Sequence, residues 1–408
     1  MQSLFKAQPI RRAPGVSERA VAMGLGGRFT DELLSGLPAV LMPTLRAQFG
    51  LSYTQISVLD LALRLVAAAI EPGAALLIDV WQRRWLMAWG AAGVGLSTML
   101  LGLAPNFLFL LAAFAVYGLA SGPLAHTADV VLVEAHPKAP DRIFARATLL
   151  DNIGALLSPL SVTVTVWAGL SWRWLLLALG FCALIYGVLL LKTTFPAPTN
   201  GAHQQHLTLL ASLRQNVRAA AVSWPARRWL AFLFALEILE APQTFTTVWL
   251  NEQAGMGQGL VGVYVVLDIV VGLLSLLYLE RWLARSSARR ILGTANAALL
   301  ILTPLWLLVP GVWSRFVLAV PIAFFYVIYW PIGRVQLLRS VPGRAGAVTA
   351  LHSLFGLVPL RLLFGLLAER ASLTVTMLSV SLAALLLLSL ITWRLPPAAW
   401  SAVEAADV

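Results

Sequence analysis

Residues 172–192 read WRWLLLALGFCALIYGVLLLK, an apolar run whose only charges are Arg173 and Lys192, close to its two ends. A helix crosses the hydrocarbon core of a bilayer with about 20 consecutive, mostly apolar residues. This run therefore predicts a membrane-spanning helix. The same character extends over the chain, because 59% of its 408 residues are hydrophobic and 12% are charged. Soluble domains carry about 25% charged residues, so most of this chain is expected to lie in lipid.

Eleven further apolar runs complete a set of twelve predicted membrane helices, here called spans. The first six spans are placed near residues 21–45, 55–79, 84–103, 107–134, 146–168 and 172–192. The second six are placed near residues 228–250, 259–282, 288–309, 313–338, 347–368 and 373–394. The predicted organisation is an N-terminal tail (1–20), a six-helix bundle (21–192), a linker (193–227), a second six-helix bundle (228–394) and a C-terminal tail (395–408). The predicted fold class is an all-α polytopic membrane protein.

The distribution of Lys and Arg predicts the orientation. With both termini in the cytoplasm, the inner segments carry 21 of these residues and the outer loops carry four. Cytoplasmic loops have such an excess in membrane proteins. The chain is therefore expected in the inner (plasma) membrane, and the predominance of Arg over Lys indicates a bacterial source. The net charge of +11 follows from this bias, so nucleic acid is not an expected partner.

Motifs for several other classes of protein are missing from the sequence. Cys182 is the only cysteine, so neither an internal disulfide nor a cysteine metal cluster is expected. No Gly-Lys-Ser/Thr phosphate loop, HExxH or GxSxG motif occurs. We therefore expect neither an enzyme nor an ATP-driven pump, and no cofactor or metal.

Two pairs of similar segments indicate an internal repeat. SVLDLALRLV around Asp60 in the second span is similar to VVLDIVVGLL around Asp268 in the eighth. TLLDNIGALLSP around Asp151 in the fifth span corresponds to TALHSLFGLVP around His352 in the eleventh. The matches recur in the same order, which predicts two pseudo-symmetric six-helix halves.

Ionisable residues are confined to particular spans. The interiors of the third, sixth, ninth and twelfth spans contain none, whereas the other eight contain at least one. A charged group at membrane depth is costly and faces the bundle interior or water. The eight charged spans are therefore expected to enclose a polar path, with every third span facing lipid.

This period of three resembles the major facilitator transporters, in which the third helix of each group of three lies on the outside. The loop after the second span, GAALLIDVWQRRWL, resembles the family's signature loop G-x-x-x-D-R-x-G-R-R, with Asp79, Arg83 and Arg84 matching. Ala75, Val80 and Gln82 stand where Gly, Arg and Gly are usual. The resemblance implies the major facilitator fold, transport by alternating access and a gating role for the matching loop. Residues 26–56 are also similar to the first helix and the following loop of fosmidomycin-resistance-type exporters.

Four acids are candidates for proton coupling or substrate binding. Asp31 and Glu32 lie in the middle of the first span, where a poorly hydrated carboxyl group can exchange protons near neutral pH. Adjacent helical residues project about 100 degrees apart, so one of the two is expected to face the cavity. Glu237 and Glu240 share a face of the seventh span and could share a proton. The alternative for all four is a structural ion pair.

Two arginines are further candidates for the binding site. Arg64 lies four residues after Asp60, which favours a pair on one helical face. Arg361 either pairs with another helix or binds an anion. The remaining ionisable candidates are assigned to gating or structural charge: Asp60, Asp79, Arg83, Arg84, His126, Asp129, Asp151, Asp268, Arg334 and His352.

The leading hypothesis is a secondary active transporter that exports a small cationic or amphiphilic organic compound in exchange for protons. Nine acids within or near the spans, against four arginines, favour it. One alternative is uptake or exchange of an organic anion bound by Arg64 and Arg361, and another is a membrane sensor that transports nothing. The expected partners are membrane lipid, the small-molecule substrate and protons, and the protein is expected to be a monomer.

Overall fold

The computed structural model describes residues 16–136, 140–195, 224–283, 285–340, 352 and 354–394. Its helices in the first part of the chain are α1 (Glu18–Phe49), α2 (Tyr53–Val80), α3 (Arg83–Leu103), α4 (Phe107–Ala135), α5 (Pro140–Trp167) and α6 (Trp172–Leu191). Those in the second part are α7 (Trp224–Glu240), α8 (Thr246–Glu252), α9 (Gln258–Leu283), α10 (Ala288–Leu308), α11 (Val312–Tyr326), α12 (Tyr329–Arg339), α13 (Leu360–Arg370) and α14 (Leu373–Trp393). Short 3₁₀ helices cover Ala241–Phe245 and Leu354–Leu357.

The predicted all-α polytopic architecture is confirmed. Nine helical segments within the described residues are long and apolar enough to cross a membrane by length and composition. α1 is not among them, because Arg28, Asp31 and Glu32 lie in its middle.

Three predicted spans are interrupted. In the seventh, α7 ends at Glu240 and a 3₁₀ turn precedes α8. Pro242 lies in that turn, and it has no N–H for the carbonyl of the residue four positions earlier. The tenth span divides into α11 and α12 just before Pro331, and in the eleventh Pro359 directly precedes α13. Residues 347–351 and 353 of the eleventh span lie outside the described residues.

The chain forms two compact units. Unit 1 contains residues 1–41 and 58–204, and unit 2 contains residues 42–57 and 205–408. The last turns of α1 and the first turn of α2 therefore belong to unit 2. Most of the linker predicted at 193–227 lies outside the described residues.

Unit 2 has an aromatic core with a buried polar chain. Phe232 of α7 and Tyr329 of α12 are fully buried among aliphatic side chains of α10 and α14. The Tyr329 hydroxyl donates to Asn296 Oδ1 at 2.6 Å, and Asn296 Nδ2 donates to Thr392 Oγ1 at 3.4 Å. These bonds satisfy polar groups that would be costly if left unpaired in an apolar interior.

Unit 1 depends on a close approach between α3 and α4. A Cβ atom added at Gly90 of α3 would lie 2.6 Å from the backbone nitrogen of Leu124 and 2.9 Å from its Cα. Small residues allow membrane helices to pack at such short separations. Because the obstructing atoms belong to the backbone, α4 would have to move to accept even one methyl group.

Substituting Gly90 by alanine is therefore expected to destabilise the protein by about 1–3 kcal/mol, the range for overpacking a tight interior. Gly293→Ala is the matched control, because Gly293 lies within α10 and its added Cβ meets nothing within 4 Å. Thermal unfolding of the purified variants in detergent checks the difference. Equal unfolding temperatures for the two variants would contradict the packing argument.

Candidate functional site

Arg28 of α1 links three helices of unit 1. Its Nη2 lies 2.5 Å from Asp151 Oδ2, and its Nε donates to Asp151 Oδ1 at 3.2 Å. Its Nη1 lies 3.4 Å from Asp129 Oδ2. Asp151 belongs to α5 and Asp129 to α4. The guanidinium therefore makes a bidentate pair with one carboxylate and a single contact with a second.

A glycine brings α5 close enough for these contacts. A Cβ atom at Gly154 of α5 would lie 2.9 Å from the carbonyl oxygen of Phe29 and 3.3 Å from Cβ of Glu32. Gly154 is one turn after Asp151 on the same helix. The short separation of α1 and α5 thus holds Asp151 against the turn of α1 that carries Arg28 and Glu32.

Asp31 and Glu32 have different surroundings. The Tyr117 hydroxyl donates to Asp31 Oδ1 at 2.9 Å, and Ser121 Oγ donates to Asp31 Oδ2 at 3.0 Å. Both donors lie on α4, so the Asp31 carboxylate is directed towards that helix. The half-buried Glu32 carboxylate has no hydrogen bond or ion pair with any side chain in the described ranges.

Together these residues form what we call the acid cluster: Arg28, Asp31, Glu32, Asp129 and Asp151. It contains four carboxyl groups and one guanidinium, so its formal charge is negative when every group is ionised. His126 is exposed on α4, one turn before Asp129. Elsewhere in unit 1, Arg64 Nε donates to Asp60 Oδ2 at 2.8 Å, the pair expected from their spacing.

A second group of charges lies in unit 2. Arg361 Nη2 is 3.6 Å from Glu240 Oε2, and its Nη1 is 3.9 Å from Glu237 Oε2. Arg361 Nε also donates to Thr244 Oγ1 at 3.2 Å. We call Glu237, Glu240 and Arg361 the triad. Arg361 was expected either to pair with another helix or to bind an anion, and in the structure it pairs with two glutamates of α7.

Aromatic side chains continue from the triad. The Trp330 indole N–H donates to Glu240 Oε1. The Trp330 ring meets His352 edge-on with ring centroids 5.5 Å apart, and Phe355 lies 5.7 Å from His352. Phe234 packs against Phe355 at 5.2 Å. The Glu240 carboxylate is thus hydrogen-bonded to the first ring of an aromatic row.

The residues of the signature loop have unequal surroundings. Arg83, only 2% exposed, makes a bidentate pair with Glu134 of α4, in which Nη2 lies 2.7 Å from Oε1. Arg84 is exposed and donates from Nε to Gln82 Oε1 at 2.9 Å. The side chain of Asp79 lies outside the described residues. Arg83 therefore joins the start of α3 to the end of α4.

Asp268 and Arg334, both assigned to gating or structural charge, lie apart from the ion pairs of unit 2. Both side chains are exposed, and neither makes a hydrogen bond or ion pair within the described part of unit 2. Asp60 and Asp268 lie in segments of similar sequence, but only Asp60 has an ion-pair partner in its own helix. Asp60 has Arg64 four residues later, whereas Gly272 occupies that position after Asp268.

Several residues of these sites were absent from the sequence-based candidates. Arg28 has two acidic partners, Tyr117 and Ser121 bind Asp31, and Trp330 binds Glu240. Arg28 was detectable as one of four arginines within spans. Tyr117, Ser121 and Trp330 resemble ordinary interior or interfacial residues of membrane helices, so the sequence alone did not distinguish them.

Comparison with known proteins matches this chain to one family of membrane transporters. The family model of the Major Facilitator Superfamily matches residues 25–360. The crystal structure of the nucleoside transporter NupG is similar with a TM-score of 0.74 and 13% identity, covering 92% of this chain and 100% of that one. A bacterial homolog of the human lysosomal transporter Spinster, inward-facing and occupied, has a TM-score of 0.71 and 13% identity, covering 95% and 96%.

The peptide transporter POT in complex with sulfate is also similar, with a TM-score of 0.70 and 13% identity over 98% of this chain and 99% of that one. Likeness at such low identity concerns the fold alone. A comparison with curated proteins finds no match.

Proposed function

Because the chain belongs to the major facilitator superfamily of membrane transporters, we propose that it exports a small cationic or amphiphilic organic compound in exchange for protons. The acid cluster of unit 1 is the observation that carries this proposal. The cluster contains four carboxyl groups and a single guanidinium, and Glu32 makes no hydrogen bond or ion pair with the described side chains. Alternating access between two halves is the corresponding transport cycle.

Glu32 is the proton carrier in this proposal. An isolated charge within a membrane protein is costly, so a proton on the unpartnered carboxyl group removes that cost. Asp31 is a poorer candidate, since Tyr117 and Ser121 already donate to it. Protonation and release at Glu32 would leave the Arg28 pairs with Asp129 and Asp151 in place.

The triad and its aromatic row are the proposed contact for a cationic substrate. Two carboxylates against one guanidinium leave a formal negative charge, and aromatic faces attract cations. The alternative of anion transport requires Arg64 and Arg361 to bind the substrate. Arg64 pairs with Asp60, and Arg361 with two glutamates, which favours the cation.

The cellular setting is part of the proposal. The chain is a multi-pass membrane protein of the major facilitator type. The excess of Lys and Arg in alternate segments supports a plasma-membrane location with both termini in the cytoplasm. We further propose that the monomer is the working unit.

Proton release from everted vesicles tests the proposal. Vesicles with an established pH gradient are challenged with cationic, neutral and anionic organic compounds, and a fluorescent dye reports the gradient. A cationic compound is expected to collapse the gradient with the wild type and with Glu18→Gln, a matched change in the exposed first turn of α1. Glu32→Gln is expected to abolish the response, and Asp31→Asn to weaken it.

Each other outcome has a defined meaning. An unaltered response in Glu32→Gln would exclude this residue as the proton carrier. A response restricted to anionic compounds would favour the Arg64 and Arg361 alternative. Absence of flux for every compound, also with imposed Na⁺ or solute gradients, would favour the sensor.

A further inference from the structure

Arg315 is a buried arginine in the first turn of α11. Its exposed fraction is 5%, and its Nε and Nη1 atoms have no acceptor within the described residues. Its Cζ lies 4.8 Å from the ring centroid of Trp249. The cation therefore rests on an aromatic face while two of its nitrogens lack hydrogen-bond acceptors.

A second buried donor adjoins the same ring. Trp306, in the last turn of α10, is 5% exposed, and its indole N–H interacts with the Tyr264 hydroxyl without reaching normal hydrogen-bond geometry. The Trp306 and Trp249 rings lie 4.7 Å apart, with Tyr264 at 6.1 Å from Trp306. Arginine and the tryptophan N–H can only donate, so the two side chains cannot satisfy each other.

Arg173 provides a comparison within the same chain. It lies in the first turn of α6, with its Cζ 4.8 Å from the ring of Trp172. Its Nη1 donates to the carbonyl oxygen of Gly102 at 2.6 Å, and its Nη2 donates to that of Ala104 at 3.2 Å. An arginine stacked on tryptophan thus finds carbonyl acceptors in unit 1, whereas Nε and Nη1 of Arg315 have no acceptor in the part of unit 2 that the structure describes.

Nearby acids do not supply the acceptor. The Glu252 carboxylate, three residues after Trp249, binds Arg46 and the Tyr53 hydroxyl. Asp268, one turn after Tyr264 on α9, makes no ion pair with Arg315. Buried donors are normally paired, so the Nε and Nη1 atoms of Arg315 require an acceptor that the described residues do not supply.

We propose that Arg315, with Trp306 beside it, binds an oxyanion, a phosphate or a carboxylate, at the first turn of α11. Charge-assisted bonds from a guanidinium are the strongest contacts such a group makes in proteins. The positive end of α11 adds to the attraction. Trp313, 76% exposed on the same helical turn, is typical of residues that contact lipid head groups. The group can belong to a lipid or to a soluble anion.

Binding to the purified protein in an uncharged detergent tests this site with three probes. Phosphatidylglycerol carries the phosphate and acyl chains, diacylglycerol carries the chains alone, and inorganic phosphate is the free anion. Native mass spectrometry and titration give the affinities. We expect phosphatidylglycerol or inorganic phosphate to bind, and diacylglycerol not to bind.

Arg315→Gln is expected to weaken this binding about tenfold to a hundredfold, the range for a hydrogen bond to a charged group. Trp306→Phe keeps the ring and is expected to weaken it by about threefold. Arg370→Gln is the matched control, because its side chain is exposed and plays no part in the proposed site. Only variants that elute as a single species from a size-exclusion column are compared.

The outcomes separate the sources of the anion. If phosphatidylglycerol stays bound when inorganic phosphate is added, the site belongs to a lipid head group. Displacement by inorganic phosphate assigns it to a soluble anion. Unchanged affinity in both Arg315→Gln and Trp306→Phe, or no binding of either phosphate by the wild type, would overturn the site. If Arg315→Gln does not fold, Trp306→Phe decides alone.

Discussion

Arg28→Gln is expected to lower the free energy of unfolding by about 1–4 kcal/mol. This lies between the range for exposed ion pairs and that for fully buried ones, because the Arg28 and Asp151 side chains are 27% and 14% exposed. In the wild type the guanidinium contacts Asp151 through two nitrogens and Asp129 through a third. The glutamine leaves both carboxylates without their cation in a poorly hydrated interior. Repulsion between them adds to the loss, since both lay against the same group.

Charge-matched variants separate this effect from a change in shape. Arg28→Gln/Asp151→Asn removes one carboxylate together with the cation and is expected to recover part of the stability. Arg28→Lys keeps the charge but loses the bidentate geometry, so an intermediate loss is expected. Unfolding in detergent, followed by intrinsic tryptophan fluorescence, measures each change.

The exposed Arg84 supplies the control. Its Nε donates to Gln82, two residues away, and Arg84→Gln is expected to change stability by less than about 1 kcal/mol, as for exposed charges. If Arg28→Gln is as stable as Arg84→Gln, the contacts of Arg28 with Asp129 and Asp151 contribute little. If Arg28→Gln/Asp151→Asn is no more stable than Arg28→Gln, the lost stability comes from packing of the arginine stem and not from the unpaired carboxylates.

The contacts that sequence analysis predicted correctly are local ones. Asp60 and Arg64 are four residues apart on one helix, and helical geometry alone brings them together. The partners of Arg28 are 101 and 123 residues away. Which of many acids faces Arg28 depends on how α1, α4 and α5 pack. That packing depends on close approaches, such as the one at Gly154, which the spacing of charges does not encode.

The breaks within the predicted spans also could not be predicted from the sequence, because they depend on how neighbouring helices pack. Pro123 and Pro159 lie inside the continuous helices α4 and α5. Pro242 lies in a 3₁₀ turn between two helices, and Pro331 lies close to the start of α12. A proline removes the same N–H in each case, and the neighbouring helices decide whether the backbone continues or breaks. The break after Glu240 therefore became visible only in the folded chain.

The triad gives the second large expected effect. Glu237→Gln/Glu240→Gln is expected to weaken binding of the cationic substrate about tenfold to a hundredfold for each carboxylate, the range for hydrogen bonds to charged groups. Arg361 would then face the site without its two counter-charges and repel a cation. Binding is measured on purified protein with the compound identified in the vesicle assay.

Arg361→Gln distinguishes cation binding from anion binding at the same place. Removing the guanidinium leaves two carboxylates, so a cationic substrate is expected to bind at least as tightly as to the wild type. The triple variant, with both glutamates and Arg361 replaced by glutamine, removes the guanidinium as well and is expected to bind the cation weakly. Glu369→Gln is the matched control in unit 2, since this carboxylate accepts from the backbone of Tyr53 and Thr54. In the reverse pattern, Arg361→Gln abolishes substrate binding and Glu237→Gln/Glu240→Gln does not change it. That result would assign the site to an organic anion, because an anion binds the guanidinium and does not need the carboxylates.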